Sequence, residues 1–407
     1  MLSRRVFIKS GAAAMIAVGF APSFLARAAA AAGSRKKLLI AIFQRGAVDG
    51  LNMVVPHGES EYYRARPTIA IAKPGTTDGA LDLDGFFGLH PRMAPFKPLW
   101  DRGDLAIVHA TGSPDTTRSH FDAQDYMESA TPGIKSTHDG WLNRYLAASG
   151  LMDRNPLRGV ALTQQMPRSL QGAAPALAMG SAGEFTVADM GARASFEEIY
   201  DAAKDRTLHG TAAEAFDAMK MLAKNTTSAY SPSNGAQYPR TPFGQALQEI
   251  ARLAKSEVGL EVAFAESTQW DHHVNEGSSQ GQIANRLDDF SRGVAALAHD
   301  LGDRMADTVI LTMSEFGRAV AENGSRGTDH GHGNAMFVIG GGVKGHQVYG
   351  KWPGLGVDER FEGRDLAVTT DFRVVFNEVL GKHLAAKPEA LAKVFPGFSA
   401  TSNLKLF

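Results

Sequence analysis

The run RGTDHGHGN, residues 326–334, sets Asp329, His330 and His332 between glycines, directly before an apolar stretch. Carboxylate and imidazole are the metal-gripping side chains left to a chain that has no Cys. A plain turn would also use Gly and Asp here, so the reading depends on whether other donors join the loop. WDHHVNEG (270–277) supplies Asp271, His272 and His273, and SEFGR (314–318) supplies Glu315. His272 and His273 are adjacent, so in an extended stretch only one faces a given side, and His273 is taken as the donor. Asp49 lies between Gly46 and Gly50, where small neighbours let backbone approach a metal or an anion. A mixed His and carboxylate set suits Zn or Mn, while an all-oxygen set would suit Ca or Mg. One ion or two remains open.

A second group could handle an anion. Ser119 opens SHFD, the pattern of a capping box with an acid three residues on. A helix start also offers free N–H groups to an anion, so a capping serine and one beside a bound ester look alike, with Thr117 as the alternative. Arg45 and Arg118 are placed to clamp such an anion in bidentate fashion. GGGVKG (340–345) fits the dinucleotide glycine pattern, but the following HQVYGKWPG is no helix, which removes that reading.

What must position these residues is a sheet. KKLLIAIFQ (36–44), DLAIVHA (104–110), VGLEVAFA (258–265), DTVILTM (307–313) and NAMFVIGG (334–341) read as buried strands. Between them, TPFGQALQEIARLAKSE (241–257) and NRLDDFSRGVAALAHDLGDRM (285–305) carry apolar residues on one helical face. Alternating strands and helices imply right-handed crossovers and a mostly parallel sheet covered on both faces. Polar, glycine-bearing segments adjoin these strands, and ligands of open parallel sheets bind at the carboxyl ends. The donors named above would meet on that edge.

The chain's first residues point to export. SRRVFIK (3–9) precedes a short apolar run and a small-residue end, the layout of a signal over residues 1–30 with a twin-arginine start. That route carries proteins already folded, with the twin-arginine translocation machinery as partner, to the periplasm or outside. No stable membrane span is expected in the mature form. Residues 34–407 are expected to form a single domain, with an insertion or connector at about 151–242 that is rich in Ala, Gly, Ser and Pro. Net charge is −1 and no basic stripe occurs, which argues against nucleic acid as a partner.

FQRGAVDGLNMVVPHG, RSHFDAQDYMESATPG, WDHHVNEG, SEFGR and GTDHGHGNAMFVIGGGVKG, in this order, together with TTDFRVVFNEVLG (369–381), resemble the DUF1501 family of exported bacterial proteins. That family is in turn similar to the alkaline phosphatase and sulfatase superfamily. The resemblance implies an alkaline-phosphatase-like three-layer α/β/α sandwich with a mostly parallel central sheet. It implies a divalent-metal site and hydrolysis of small anionic phosphate or sulfate esters. Asp49 would match the carboxylate ligand after the first strand and Ser119 the nucleophile. Asp271 and His273 would match a ligand pair, and His330 or His332 a late His ligand. The superfamily usually has an Asp-His or Asp-Asn pair where Glu315 and Phe316 stand here. Asp329 would have to compensate for that departure, or the second metal is missing. A non-catalytic periplasmic binding or assembly protein on the same fold is the alternative that this departure favours.

Overall fold

The computed structural model describes residues 36–149, 155–180, 230–400 and 403–407. The expected export signal lies outside these residues, as does most of the expected insertion. The runs of aliphatic residues become the strands β1 (Leu38–Gln44), β5 (Leu105–Gly112), β8 (Val262–Ser267), β9 (Thr308–Met313) and β10 (Asn334–Gly340). Short strands complete the set: β2 (Val54–Val55), β3 (Leu81–Asp82), β4 (Gly88–Leu89), β6 (Gly159–Ala161), β7 (Leu177–Ala178), β11 (Gln347–Tyr349) and β12 (Thr370–Asp371). The helices are α1 (Gly50–Met53), α2 (Ser60–Ala65), α3 (Lys97–Asp101), α4 (His120–Ser129), α5 (Trp141–Ser149), α6 (Pro242–Lys255), α7 (Gln282–Leu301), α8 (Phe372–Glu378) and α9 (Pro388–Val394).

The main sheet runs β11-β5-β10-β9-β1-β8-β6-β7, with β12 also paired to β5. Every pairing in it is parallel except those of β10, which is antiparallel to both β5 and β9. β2, β4 and β3 form a separate small antiparallel sheet. Successive residues of a strand face opposite sides, and β1 shows this directly. Leu38, Ile40 and Ile42 join a core with Leu247 and Ile250 of α6 and Phe290 and Val294 of α7. Leu39, Ala41 and Phe43 join a second core with Trp141 of α5 and Phe372 and Phe376 of α8. Helices therefore cover both faces, and the architecture is the expected three-layer α/β/α sandwich.

Two expectations change. The stretch expected as an insertion or connector opens with β6 and β7, which extend the main sheet beyond β8. GVA and LA are too short to stand out as strands in an Ala- and Gly-rich stretch. The second change is the direction of β10. No helix lies between β9 and β10, so the chain returns beside β9 as an antiparallel neighbour rather than crossing over. The start of β10 thereby lies on the edge where β9 and its parallel neighbours end. Among the described residues, no helix is long and apolar enough to cross a membrane.

Candidate metal centre

Four segments converge on the carboxyl edge: the turn after β1, the start of α4, the loop after β8, and the loops that end β9 and precede β10. Gly46, in the turn after β1, has a φ of 111°, and a Cβ there would lie 2.8 Å from the backbone N of Asp271. Glycine thus lets the loop after β8 close onto β1. His120 is the first residue of α4, and its Nδ1 is 2.9 Å from Oε1 of Glu315. Glu315 is fully buried at the end of β9. The same Oε1 accepts from Gly46 N (2.9 Å) and Gln124 Nε2 (2.8 Å). With Nδ1 held by a carboxylate, the lone pair of the neutral ring is on Nε2. That atom is buried and has no hydrogen-bond partner; it points toward Oδ2 of Asp271 at 3.5 Å.

His330 is arranged in the same way. Its Nδ1 donates to the carbonyl oxygen of Arg118 at 2.8 Å, and its Nε2 lies 3.4 Å from Oδ1 of Asp271. Donor atoms of His120, Asp271 and His330 all lie within 4.8 Å of one another. His273 adjoins them, with Nε2 2.9 Å from Nε2 of His330 and 3.0 Å from Oδ1 of Asp271. Its Nδ1 faces Oδ1 of Asp329 at 3.3 Å. Three imidazoles thus turn Nδ1 to a protein acceptor and Nε2 to one carboxylate. A metal-ligating His is usually held by its other ring nitrogen in this manner, and the orphaned Nε2 of His120 gives a cation something to satisfy. The residues present fit a divalent ion with mixed nitrogen and oxygen ligands.

Electrostatics follow from the same contacts. The bond to Glu315 raises the pKa of His120 above its ordinary value, against an opposing effect of burial. Burial lowers that of His330. Burial pushes Asp271 up, but the Arg318 guanidinium, bonded to Oδ1 at 2.6 Å, overcomes it and holds the carboxyl below its usual range. Burial likewise pushes Glu315 up, and bonds from His120, Gln124 and Gly46 reverse the shift.

The structure brings together Asp271, His273 and His330 of the expected ligands, with Asp329 behind His273 rather than among the clustered donors. It does not bring Asp49 there. Asp49 caps α1 through Leu51 N (3.1 Å) and pairs with the buried Arg66, so its charge is already matched. Glu276, also buried, hydrogen-bonds Asp49, and burial raises its pKa well above the ordinary value. His332 is absent from the cluster too: its ring stacks on Phe361 at 4.4 Å. Ser119 is the exposed N-cap of α4, but its Oγ accepts only a long 3.5 Å bond from Asp122 N. Thr117 Oγ1 accepts from the backbone N of Ser119. Arg45 is bonded to Glu128 (2.9 Å) and Glu266 (2.5 Å), and Arg118 to Asp365 (2.6 Å) and Glu362 (2.7 Å), so both expected clamps already hold carboxylates. His120 and the supporting role of Glu315 were not picked out by the sequence reasoning. The available signal was a His at a helix start already assigned to the ligand edge. Phe316 does not ligate; its ring packs 5.0 Å from those of both His120 and His330.

The family described as "Protein of unknown function (DUF1501)" matches residues 36–386. The chain belongs to that family. No curated protein matches it. Among solved structures it is similar to the C-terminal periplasmic domain of EptC from Escherichia coli in complex with Zn. That match has 9% identity over 76% of this chain and 74% of the other, with a TM-score of 0.34. The PsFucS1 sulfatase from Pseudoalteromonas matches at 10% identity over 90% and 73%, TM-score 0.37. An alkaline phosphatase from the Antarctic bacterium TAB5 matches at 11% over 75% and 92%, TM-score 0.32. The donor cluster stands on the distances given above and not on these distant likenesses.

Proposed function

We propose that this DUF1501 protein is an exported metal-dependent hydrolase of phosphate or sulfate esters. The observation that carries the reading is the convergence of the Nε2 atoms of His120, His330 and His273 on Asp271, with each Nδ1 facing a protein acceptor. Such a donor set favours Zn or Mn over Ca or Mg. A bound ion would supply Lewis acidity that polarises the ester and activates the attacking oxygen. Glu315 fixes the tautomer and direction of His120, and the Arg118 carbonyl does the same for His330. Arg318 neutralises Oδ1 of Asp271 and leaves Oδ2 directed at His120. Ser119, one residue before His120, offers an exposed and weakly bonded hydroxyl as nucleophile, with water as the alternative attacker.

A second reading, a metal-binding protein without catalysis, is favoured by Arg45 and Arg118, whose charges are already matched. Metal analysis of protein purified from the periplasm, followed by turnover assays on aryl phosphates and aryl sulfates, separates the two. Bound transition metal with turnover supports the hydrolase. Bound metal without turnover on any of these esters supports the binding protein, and metal-free, inactive protein after Zn or Mn supplementation overturns both.

Ser119 has its own test. Asp is as good a helix cap as Ser, while Ala costs about 1 kcal/mol. A capping role alone predicts that Ser119→Asp keeps stability and activity. A nucleophile predicts that Ser119→Asp and Ser119→Ala both abolish turnover while metal stays bound.

A further inference from the structure

The surroundings of the donor cluster are richer in carboxylates than in cations, and this bears on the substrate of the hydrolase proposed above. Arg318 is fully buried and engaged with Asp271 and with the carbonyls of Gly46, Ala47, Trp270 and Thr328. Arg45 faces Glu128 and Glu266, and Arg118 faces Asp365 and Glu362. Arg364 pairs with Asp365 at 2.8 Å. Glu315, bonded to His120, and Asp329, facing His273 and Asn323, add two more carboxylates. Of the nearby guanidiniums among the described residues, Arg326, exposed on the loop that meets Glu276, and Arg286, bonded to the amide of Gln269, have no carboxylate partner, and both lie on the outer side of the loop after β8. A divalent ion placed among these groups offsets the excess negative charge without creating a strongly positive pocket.

We propose that this site selects singly charged esters, phosphate diesters and sulfate monoesters, over doubly charged phosphate monoesters. The proposal rests on the hydrolase reading. In the reaction, the attacking oxygen, of the Ser119 hydroxyl or of water, gives up its proton and forms a bond to phosphorus or sulfur, and a serine ester so formed is then cleaved by water. The bond to the ester oxygen breaks, and a proton passes to the departing alcohol. A second negative charge on the substrate finds no free guanidinium in the ion pairs around the cluster and faces the exposed carboxylate of Asp329, which has no Lys or Arg partner among the described residues.

The test uses cobalt(II)-loaded full-length protein at about pH 8, where a phosphate monoester is doubly charged. Its visible absorption is followed while methyl phosphate, dimethyl phosphate or methyl sulfate is added. Dimethyl phosphate and methyl sulfate should perturb the band at concentrations about tenfold below methyl phosphate, the order expected for one additional unit charge near a protein surface. Glu362→Gln removes one exposed carboxylate from Arg118, and it should improve the response to methyl phosphate while changing the other two little. Methyl phosphate acting at equal or lower concentration in the wild type would overturn the proposal. Absence of any cobalt band would overturn the metal reading and the proposal with it. A preference for singly charged anions without turnover of bis(4-nitrophenyl) phosphate or 4-nitrophenyl sulfate would support the selectivity and overturn the hydrolase.

Discussion

His120 follows directly on Ser119, and the structure divides between them what the sequence concentrates on the serine. Ser119 caps α4, while His120 turns inward between Glu315 and Asp271. His120→Ala should therefore strip metal, and His332→Ala should not, because the His332 ring stacks on Phe361 outside the cluster. Metal content of both purified variants checks this; equal loss, or loss only in the His332 variant, contradicts the assignment. The raised pKa of His120 sets a pH dependence. An ion needs the unprotonated Nε2, so acid competes with it, and the competition begins above the ordinary imidazole value of about 6.5. Stability of the metal-free protein runs the other way at this residue. A raised folded pKa contributes stability that is present below about 6.5 and lost as pH rises through the folded value. Calorimetric titration with Zn at several pH values should show affinity falling, and more protons displaced, on acidification from neutral pH. At this scale the sequence revealed donor types but not their surroundings. Asp271, His273 and His330 were legible because they cluster in two short runs. Asp49 and His332 lie outside the cluster, and the sequence did not show this because Arg66 and Phe361, which engage them, stand 17 and 29 positions further along the chain.

At the scale of elements, the antiparallel course of β10 puts its leading loop at the ligand edge. The order of strands and helices was legible from apolar periodicity. The reversal was not, since a buried strand reads the same in either direction. The loop is held by close backbone approach as well as by its side chains. A Cβ on Gly331, between His330 and His332, would lie 2.3 Å from the backbone carbon of Arg318 and 2.4 Å from its oxygen. Backbone on both sides leaves little room to yield. Gly331→Ala should destabilise by about 1–3 kcal/mol, the usual range for overpacking, and should lower metal content by shifting His330. Denaturant unfolding together with metal analysis checks both parts, and a fully stable, fully loaded variant contradicts the packing argument.

For the whole molecule, the proposed route of export makes a separate prediction. If the arginine pair governs it, changing Arg4 and Arg5 to Lys should strand precursor in the cytoplasm, and periplasmic yield measured by fractionation should fall. Unchanged yield in a strain lacking only the twin-arginine machinery contradicts it. The central place of β1 carries a different consequence, one of timing. Among the described residues β1 is the first long strand in chain order, all seven of its residues are buried, and its partners are β8 and β9. A ribosome working at roughly 5–20 residues per second leaves that apolar strand without either neighbour for about ten to fifty seconds. Through that interval the nascent chain depends on a chaperone or on transient collapse to keep the strand from pairing with another chain. The donor cluster is subject to the same delay, because His120 waits for His330. On the proposed function and export route, an ion could be gripped only late in synthesis, and the metals of the cytoplasm, not those of the destination, would decide which ion is carried across.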